Sequence, residues 1–349
     1  NYIRKVFWME NKKLTLYSKD KIIEIVRDML KYYGGSEYKK EVIKAAHLLM
    51  DKVRYCDVEA ITLEPDFIEE ILFVLNEDGT KSIVRDVFYH LKYIDADLID
   101  VSFDNTHIAG YRFYGLKNVQ INIQKIPNCD ISGTVLNGVT VKGSLDGANI
   151  KETDFTGYIG NLVLNPQLVQ NKNLYRTDIS ELTVKGSFDE VNIKGMYSEG
   201  FKGEIFVNPQ KLPEKDLSFI DFNGIHLVGD YDEKTGTYGD PCFDDCKLFE
   251  TKFKGCIGNV VIPLDKIGVG APLCDFTGVK LIGKIKNWDI LGLMHSYYID
   301  ENGKRISLNN GDYIEYPEED KTNEEKINTH KTKVRKSNFI KRIFSNCKK

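Results

Sequence analysis

The cysteine residues of this 349-residue sequence are its strongest candidates for metal ligands. Cys242, Cys246, Cys256 and Cys274 lie in one stretch late in the chain. A structural zinc site needs four thiolate or imidazole ligands, often as closely spaced cysteine pairs, and only Cys242 and Cys246 approach that spacing. Cys246 and Cys274 stand two residues before a large apolar residue, where a free cysteine packs as a small hydrophobic side chain. The spacing therefore favours packing over metal binding, and we predict no metal site and no cofactor.

The histidines and carboxylates form no recognisable catalytic motif. The six histidines are scattered, and His107 and His226 fall at outward-facing positions of a repeat described below. Asp244 and Asp245 adjoin in a predicted turn, where aspartate is favoured for backbone geometry alone. The sequence contains no nucleophile elbow, phosphate-binding loop, dinucleotide fingerprint or zinc-protease motif. We therefore expect a protein that is not an enzyme.

Two segments that interrupt the regular pattern are better candidates, and both point to binding. The first is the insertion YDEKTGTYGDPC, which begins at Tyr231. A regular solenoid does not need such an insertion, and insertions between repeats commonly lie on the binding face. Aromatic and charged side chains suit a contact with a protein partner, and the candidates are Tyr231, Asp232, Glu233, Lys234 and Tyr238. The alternative is a loop that has drifted without a function.

The second segment is the basic tail. Residues 326–349 contain nine Lys or Arg residues and no acid. Helical spacing would place several apolar side chains on one face, and the candidate binding residues are Phe339, Ile340, Lys341, Arg342, Ile343 and Phe344. This combination predicts a weak contact with an anionic membrane or docking onto a partner. The competing interpretation is a solvated end whose charges serve solubility.

The elements that must position these segments fall into two kinds. Residues 18–94 have helical periodicity in four segments and predict an α-helical cap domain after an N-terminal segment, residues 1–17. Pro65 begins the third segment, which extends to Leu75; the fourth begins at Lys81 after a turn. From Asp95 onward the period changes, because large apolar residues stand five apart at Leu98, Phe103, Ile108 and Phe113. Neither a helix nor a simple strand has that period, whereas a square coil that turns one residue inward per side does.

A longer repeat is superimposed on the five-residue spacing. VTVKGSLD at 139–146 returns as LTVKGSFD at 182–189, and Asn165-Pro166-Gln167 returns as Asn208-Pro209-Gln210, each 43 residues later. Long-period internal repeats are typical of solenoids. Forty-three residues would correspond to two coils and a short excursion at the Asn-Pro-Gln segment. The same register places Phe155, Phe253 and Phe276 inside the coils.

The quintets ADLID and CDFTG resemble the pentapeptide-repeat family, and the likeness covers about residues 95–285. The resemblance implies a right-handed, four-sided β-helix, here as a long variant with a 43-residue period. The predicted fold is therefore mainly β: a right-handed β-helix solenoid at residues 95–290 that follows the helical cap. A capping hairpin at residues 291–320, signalled by Asn302-Gly303, and a basic tail at residues 321–349 complete it.

Hydropathy, cysteine count and charge limit the classes of function that the sequence allows. No long apolar run predicts a membrane span, and seven cysteines, an odd number, favour a reducing, cytoplasmic setting. Residues 95–290 carry 27 acids and 20 bases, so we expect no direct nucleic-acid binding. The leading hypothesis is a protein-protein interaction scaffold with an unidentified protein partner. The resemblance implies one alternative, a DNA mimic that inhibits a DNA-binding enzyme such as a topoisomerase. Another alternative is a bacterial effector whose activity lies in the flanking regions.

Overall fold

The computed structural model describes residues 16–32, 37–55, 60–268, 271–284, 295–300, 303–308, 313–315 and 333–335. The chain divides into two compact units, residues 1–162 and 163–349, which are described in turn. The predicted binding residues 339–344 of the tail lie outside the described residues. Within the described residues, no helix is long and apolar enough to cross a membrane.

Among its described residues, the first unit has four amphipathic helices, as the periodicity predicted. They are α1 (Lys19–Tyr32), α2 (Lys39–Arg54), α3 (Pro65–Leu72) and α4 (Arg85–Tyr93). Each helix buries one apolar face, for example Ile22, Val26 and Met29 on α1. Strand β1 (Leu16–Ser18) precedes α1 and pairs in antiparallel fashion with β2 (Ala60–Thr62).

The predicted extents of the third and fourth helical segments were wrong. Residues after Leu72 form strand β3 (Phe73–Leu75), and the fourth segment begins as strand β4 (Lys81–Ile83), so the two make an antiparallel hairpin. Strand β4 also pairs in parallel with β5 (Thr106–His107), which belongs to the first coil. These hydrogen bonds to a distant part of the chain override the local helical pattern, which is a weak determinant by comparison.

The helices and the β3–β4 hairpin cover the first coil through aromatic packing. The ring of Phe88 meets that of Phe113 edge-on at 5.3 Å, and Phe73 meets Phe103 at 5.4 Å. The hydroxyl of Tyr17 accepts a hydrogen bond from the backbone N–H of Asp97 at 2.9 Å. The cap thereby protects backbone groups that an open coil end would expose to other chains.

Beyond the cap, the first unit is built from stacked coils. Strand β6 (Gln120–Asn122) pairs in parallel with β7 (Thr140–Lys142), and Asp130 and Thr140 bridge to residues 19 positions later in the next coil. The inward side chains predicted from the five-residue spacing are fully buried, which confirms the register; they are Leu98, Phe103, Ile108, Phe113 and Phe155.

The second unit continues the same β-solenoid construction. Its ladder strands are β8 (Val163–Leu164), β9 (Thr183–Val184), β10 (Phe206–Val207), β11 (His226–Leu227), β14 (Val261–Pro263) and β15 (Lys280–Lys284). Parallel bridges at Asn173, Asp178 and Thr183 stand five residues apart along one coil. Phe253 and Phe276 are buried, as predicted, and their rings stack at 5.6 Å.

The 43-residue period has a structural cause in this unit. Thr183 bridges to Lys202, 19 residues later, while the next coil pairs Phe206 with His226, 20 residues later. The remaining four positions of the period are the step from Lys202 to Phe206, because Lys202 pairs with the preceding coil and Phe206 with the following one. The predicted excursion at the Asn-Pro-Gln segment is therefore misplaced. It precedes that segment, because Gly203 turns the chain there with a φ of +107°.

A β-hairpin follows the last coil, and its first strand stacks on it. Strands β16 (Tyr297–Ile299) and β17 (Arg305–Ser307) pair in antiparallel fashion. The N–H of Phe276 donates to the carbonyl of Tyr297 at 2.8 Å, which extends the ladder by one strand. The turn is wider than the predicted two residues, because the backbone N–H of Asp300 donates to the carbonyl of Lys304 at 3.0 Å and closes the hairpin there. Strand β15 pairs with β18 (Tyr313–Glu315), which pairs with β19 (Lys333–Arg335).

Candidate functional site

Most polar side chains of the coils serve the fold itself. At many quintets an Asp carboxylate or Asn amide oxygen accepts the backbone N–H two residues later, as Asp178 does from Ser180 at 2.9 Å. Such turns are the standard local use of these residues. The same bond recurs at Asp130, Asn149, Asp154, Asn173, Asn192, Asp216, Asp221 and Asp275. These groups therefore form the turns of the coils.

The Asn-Pro-Gln segments are also structural. The side chain of Asn208 accepts the N–H of Gln210 at 3.0 Å, which orients the glutamine along the solenoid. Gln210 then donates to the carbonyls of Cys242 and Asp244 in the next coil at 3.1 and 2.9 Å. Gln167 makes the equivalent pair of bonds one period earlier. This repeated motif clamps adjacent coils.

Lysines alternate with the acids of neighbouring coils. Lys172 contacts Glu190 at 2.7 Å, and its hydrogen bond lowers the pKa of that carboxyl. The same alternation continues along the second unit in the pairs Lys194–Asp216, Lys211–Asp189, Lys247–Glu214, Lys252–Asp221 and Lys266–Asp244. Exposed pairs of this kind contribute little to stability. Their effect is to interrupt the acidic surface of the coils.

The cysteines behave as packing residues. Cys246 and Cys274 are fully buried, and burial raises the pKa of each thiol to about 12. Cys242 is exposed, while Cys256 is half-buried with a pKa raised to about 11 by the same cause. Across the described ranges, no group of three or more His, Cys, Asp or Glu side chains could hold a metal ion.

The insertion predicted as a binding segment forms a hairpin that projects from the second unit. Strands β12 (Tyr231–Asp232) and β13 (Thr237–Tyr238) pair in antiparallel fashion, and every residue from 231 to 240 is exposed. The hairpin begins and ends one residue earlier than the sequence suggested. Gln210 holds the carbonyl of Cys242 in the coil ladder, so the excursion comprises residues 230–241, which we call the insertion hairpin.

The insertion hairpin folds back onto one face of the coils through aromatic rings. The ring of Tyr238 stacks on Phe206 at 5.1 Å with an interplanar angle of 16°, and Phe206 stacks on His226 at 4.6 Å. Tyr231 contacts Tyr238 across the hairpin at 5.0 Å. Tyr231 and Tyr238 remain 51% and 45% exposed. We call Phe206, His226, Tyr231 and Tyr238 the aromatic surface.

Sequence reasoning found the two tyrosines but missed Phe206 and His226 as their partners. Forty-three residues before Phe206 stands Val163, and 43 before His226 stands Thr183, so both positions are aromatic only in the coils beside the insertion hairpin. Comparison of the repeats at these ladder positions would have revealed the exchange. The insertion hairpin is closed at its base by the bond from the N–H of Gly229 to the carbonyl of Gly239. No local sequence pattern predicts this bond.

Carboxylates lie on the same hairpin as the two tyrosines of the aromatic surface. The insertion hairpin carries four acids, Asp230, Asp232, Glu233 and Asp240, which we call the acidic rim, against one base, Lys234. Asp230 is anchored to Lys211 at 3.2 Å. Glu233 and Asp240 have no ion-pair partner within the part of the chain that the structure describes. The rim therefore gives the aromatic surface a negative border.

A second exposed apolar surface lies at one corner of the second unit. Phe219 and Leu273 are 38% and 37% exposed, and the ring of Phe219 contacts that of Phe249 at 4.9 Å. Both Phe219 and Leu273 have left-handed backbones, with φ of 64° and 60°, which large side chains seldom adopt.

No protein-family model matches the chain, and no curated protein or solved structure is significantly similar to it. The geometry described above is therefore the basis for any functional assignment. It places five predicted binding residues on the insertion hairpin, and one of them, Tyr238, stacks on Phe206 of the coils.

Proposed function

We propose that this protein is a non-enzymatic scaffold that binds a protein partner through the insertion hairpin. The observation that carries the proposal is the aromatic surface with its exposed tyrosines on an otherwise regular solenoid. Exposed tyrosines supply much of the energy at protein interfaces because they combine a large apolar ring with a polar hydroxyl. The stacking on Phe206 holds Tyr238 in place before a partner arrives, which reduces the ordering cost of binding.

We also assign the solenoid to the long-period form of the pentapeptide-repeat fold. The support is the five-residue spacing of inward residues and the matching spacing of the parallel bridges. A scaffold of this kind derives its binding specificity from departures from the repeat, since the repeated positions are occupied by turns and clamps between coils.

The DNA-mimic alternative requires an unbroken acidic stripe. The lysines that alternate with acids along the second unit count against such a stripe, as the pairs Lys172–Glu190 and Lys247–Glu214 illustrate. The effector alternative stays a prediction. The same holds for a contact of the basic tail with anionic membranes.

Site-specific photo-crosslinking tests the proposal. A photoreactive phenylalanine analogue placed at Tyr238 in the full chain should yield a discrete adduct with another protein in cells that express it. The matched control carries the analogue at Val163, which occupies the ladder position equivalent to Phe206 and is 43% exposed. Adducts of identical mass and yield at both positions, or none at Tyr238, would remove the insertion hairpin as the binding surface.

A further inference from the structure

We propose that the aromatic surface and its acidic rim bind the basic segment of this same chain at residues 336–349. This inference rests on the proposed function, because the segment would then compete with the protein partner for one surface. The scaffold would carry its own internal ligand, displaced when a partner binds.

Charge complementarity is the first argument. Residues 336–349, KSNFIKRIFSNCKK, contain five bases and no acid, while the insertion hairpin carries four acids against Lys234. Glu233 and Asp240 lack an ion-pair partner in the described ranges, in contrast to acids of the coils such as Glu190 and Glu214. Opposite charges on two surfaces steer their encounter and favour this pairing over pairing with an acidic segment.

The aromatic rings provide the second argument. An Arg or Lys side chain over a tyrosine ring gains a cation–π interaction. The protein uses this contact elsewhere, with Lys92 at 3.6 Å from the ring centre of Tyr114 and Arg305 at 3.8 Å from that of Tyr297. Among the described residues, no cation lies over Tyr231 or Tyr238. The segment supplies cations, among them Lys348 and Lys349, together with Phe344.

The third argument is reach within the second unit. Strand β19 ends at Arg335 in the sheet that contains β14, β15 and β18. Ile257, four residues before β14, pairs with His226. Four strand spacings and the shift before β14 therefore separate Arg335 from the aromatic surface by roughly 20–30 Å. The nine residues from Arg335 to Phe344 span about 30 Å when extended and the fourteen to Lys349 about 46 Å, so the distal part of the segment, from Phe344 to Lys349, can reach the aromatic surface.

Photo-crosslinking in the full chain at high dilution tests the contact. With the photoreactive analogue at Tyr238, digestion and mass spectrometry should recover an adduct between the insertion hairpin and residues 336–349 of the same molecule. The variant D232N/E233Q/D240N should lower the yield of this adduct at least fivefold, and 0.5 M salt should lower it similarly, because exposed charges are screened. The control variant D146N/E199Q/E250Q removes three exposed acids elsewhere and should leave the yield unchanged.

Three outcomes would overturn the inference. They are the absence of the adduct, an equal yield after neutralisation of the acidic rim, and an adduct that joins only different molecules. Because the mass of an adduct shows what was captured, a partner adduct at Tyr238 without a tail adduct would refute this inference and leave the proposed function intact.

Vesicle binding tests whether residues 336–349 bind an anionic membrane instead of the insertion hairpin. If the acidic rim holds residues 336–349, the D232N/E233Q/D240N variant should release them, and the variant should co-sediment with phosphatidylserine vesicles more than the unaltered full chain does. Equal co-sedimentation of both proteins, well above that of a chain with Lys341, Arg342 and Phe344 changed to Ser, would show a membrane segment that the insertion hairpin does not hold.

Discussion

The coils and the insertion hairpin of the second unit differ in how they use acids and aromatic rings, although Asp232 of the hairpin accepts the N–H of Lys234 in the same turn bond that the coils use. In the coils, Asp178 closes a turn, Gln210 clamps the next coil and Glu190 pairs with a lysine. In the insertion hairpin, Glu233 and the ring of Tyr231 remain exposed to solvent. The comparison teaches that a polar residue in a repeat protein indicates function only where the repeat does not need it. The following predictions test this division, from the largest expected effect to the smallest.

Truncation of a core aromatic residue should have the largest effect. Phe253 is fully buried and its ring lies 5.5 Å from that of Phe222 and 5.6 Å from that of Phe276. Phe253→Ala should lower the free energy of unfolding by about 3–5 kcal/mol, through lost burial and the cavity left behind. Denaturant titration measures the loss, with Tyr231→Ala as the exposed aromatic control. A loss below 1 kcal/mol would show that the coils are not packed as described.

The glycine at the strand break should be the next most sensitive position. Gly203 has a φ of +107°, and a Cβ there would lie 2.6 Å from the carbonyl oxygen of Val184. Gly203→Ala should cost about 2–3 kcal/mol, from the backbone strain and the forced shift. Gly200 has a φ of +78° with open space around it, so Gly200→Ala should cost only about 1 kcal/mol. Equal losses in the two variants would refute the close approach of the coils at Gly203.

Removal of the whole insertion hairpin should cost much less than either change. Excision of residues 230–241 joins Gly229 to Cys242 and reproduces the Gly186–Ser187 junction of the preceding repeat. The smaller deletion of residues 232–240 should likewise leave folding intact, although it keeps a three-residue remnant. We expect the thermal unfolding midpoint of the 230–241 excision to fall by about 2 °C or less. A drop as large as that of Phe253→Ala would mean that the hairpin is part of the core.

Thiol reactivity should separate the cysteines without affecting stability. Cys242 is exposed, whereas burial raises the pKa of Cys246 and Cys274 to about 12, so these two hold little thiolate at pH 8. In a chain with Cys56 and Cys347 changed to Ser, iodoacetamide should modify Cys242 first. As pH rises toward 10, labelling of Cys246 and Cys274 should still lag, because their folded pKa lies above that range. Early modification of Cys274 would contradict its burial.

The sequence predicted much of the solenoid because each coil side buries one residue. The large apolar residues that stand five apart from Leu98 to Phe113 are buried, so the spacing predicts the burial. The helical prediction failed at Lys81–Ile83 because that strand pairs with the distant Thr106, and at Phe73–Leu75 because that strand pairs with Lys81–Ile83. The candidate site was predicted only in part. Its tyrosines stand in a visible insertion, but their stacking on Phe206 depends on how the hairpin folds back.

Partner capture by the chain without the insertion hairpin tests the central claim most directly. The full protein and the variant that lacks residues 230–241 are compared in one pull-down, with matched amounts and equal unfolding midpoints. We predict that the partner retained by the full protein is lost from the variant, while the solenoid stays folded. An unchanged set of captured proteins would contradict the account, because the binding surface would then lie on the coils themselves.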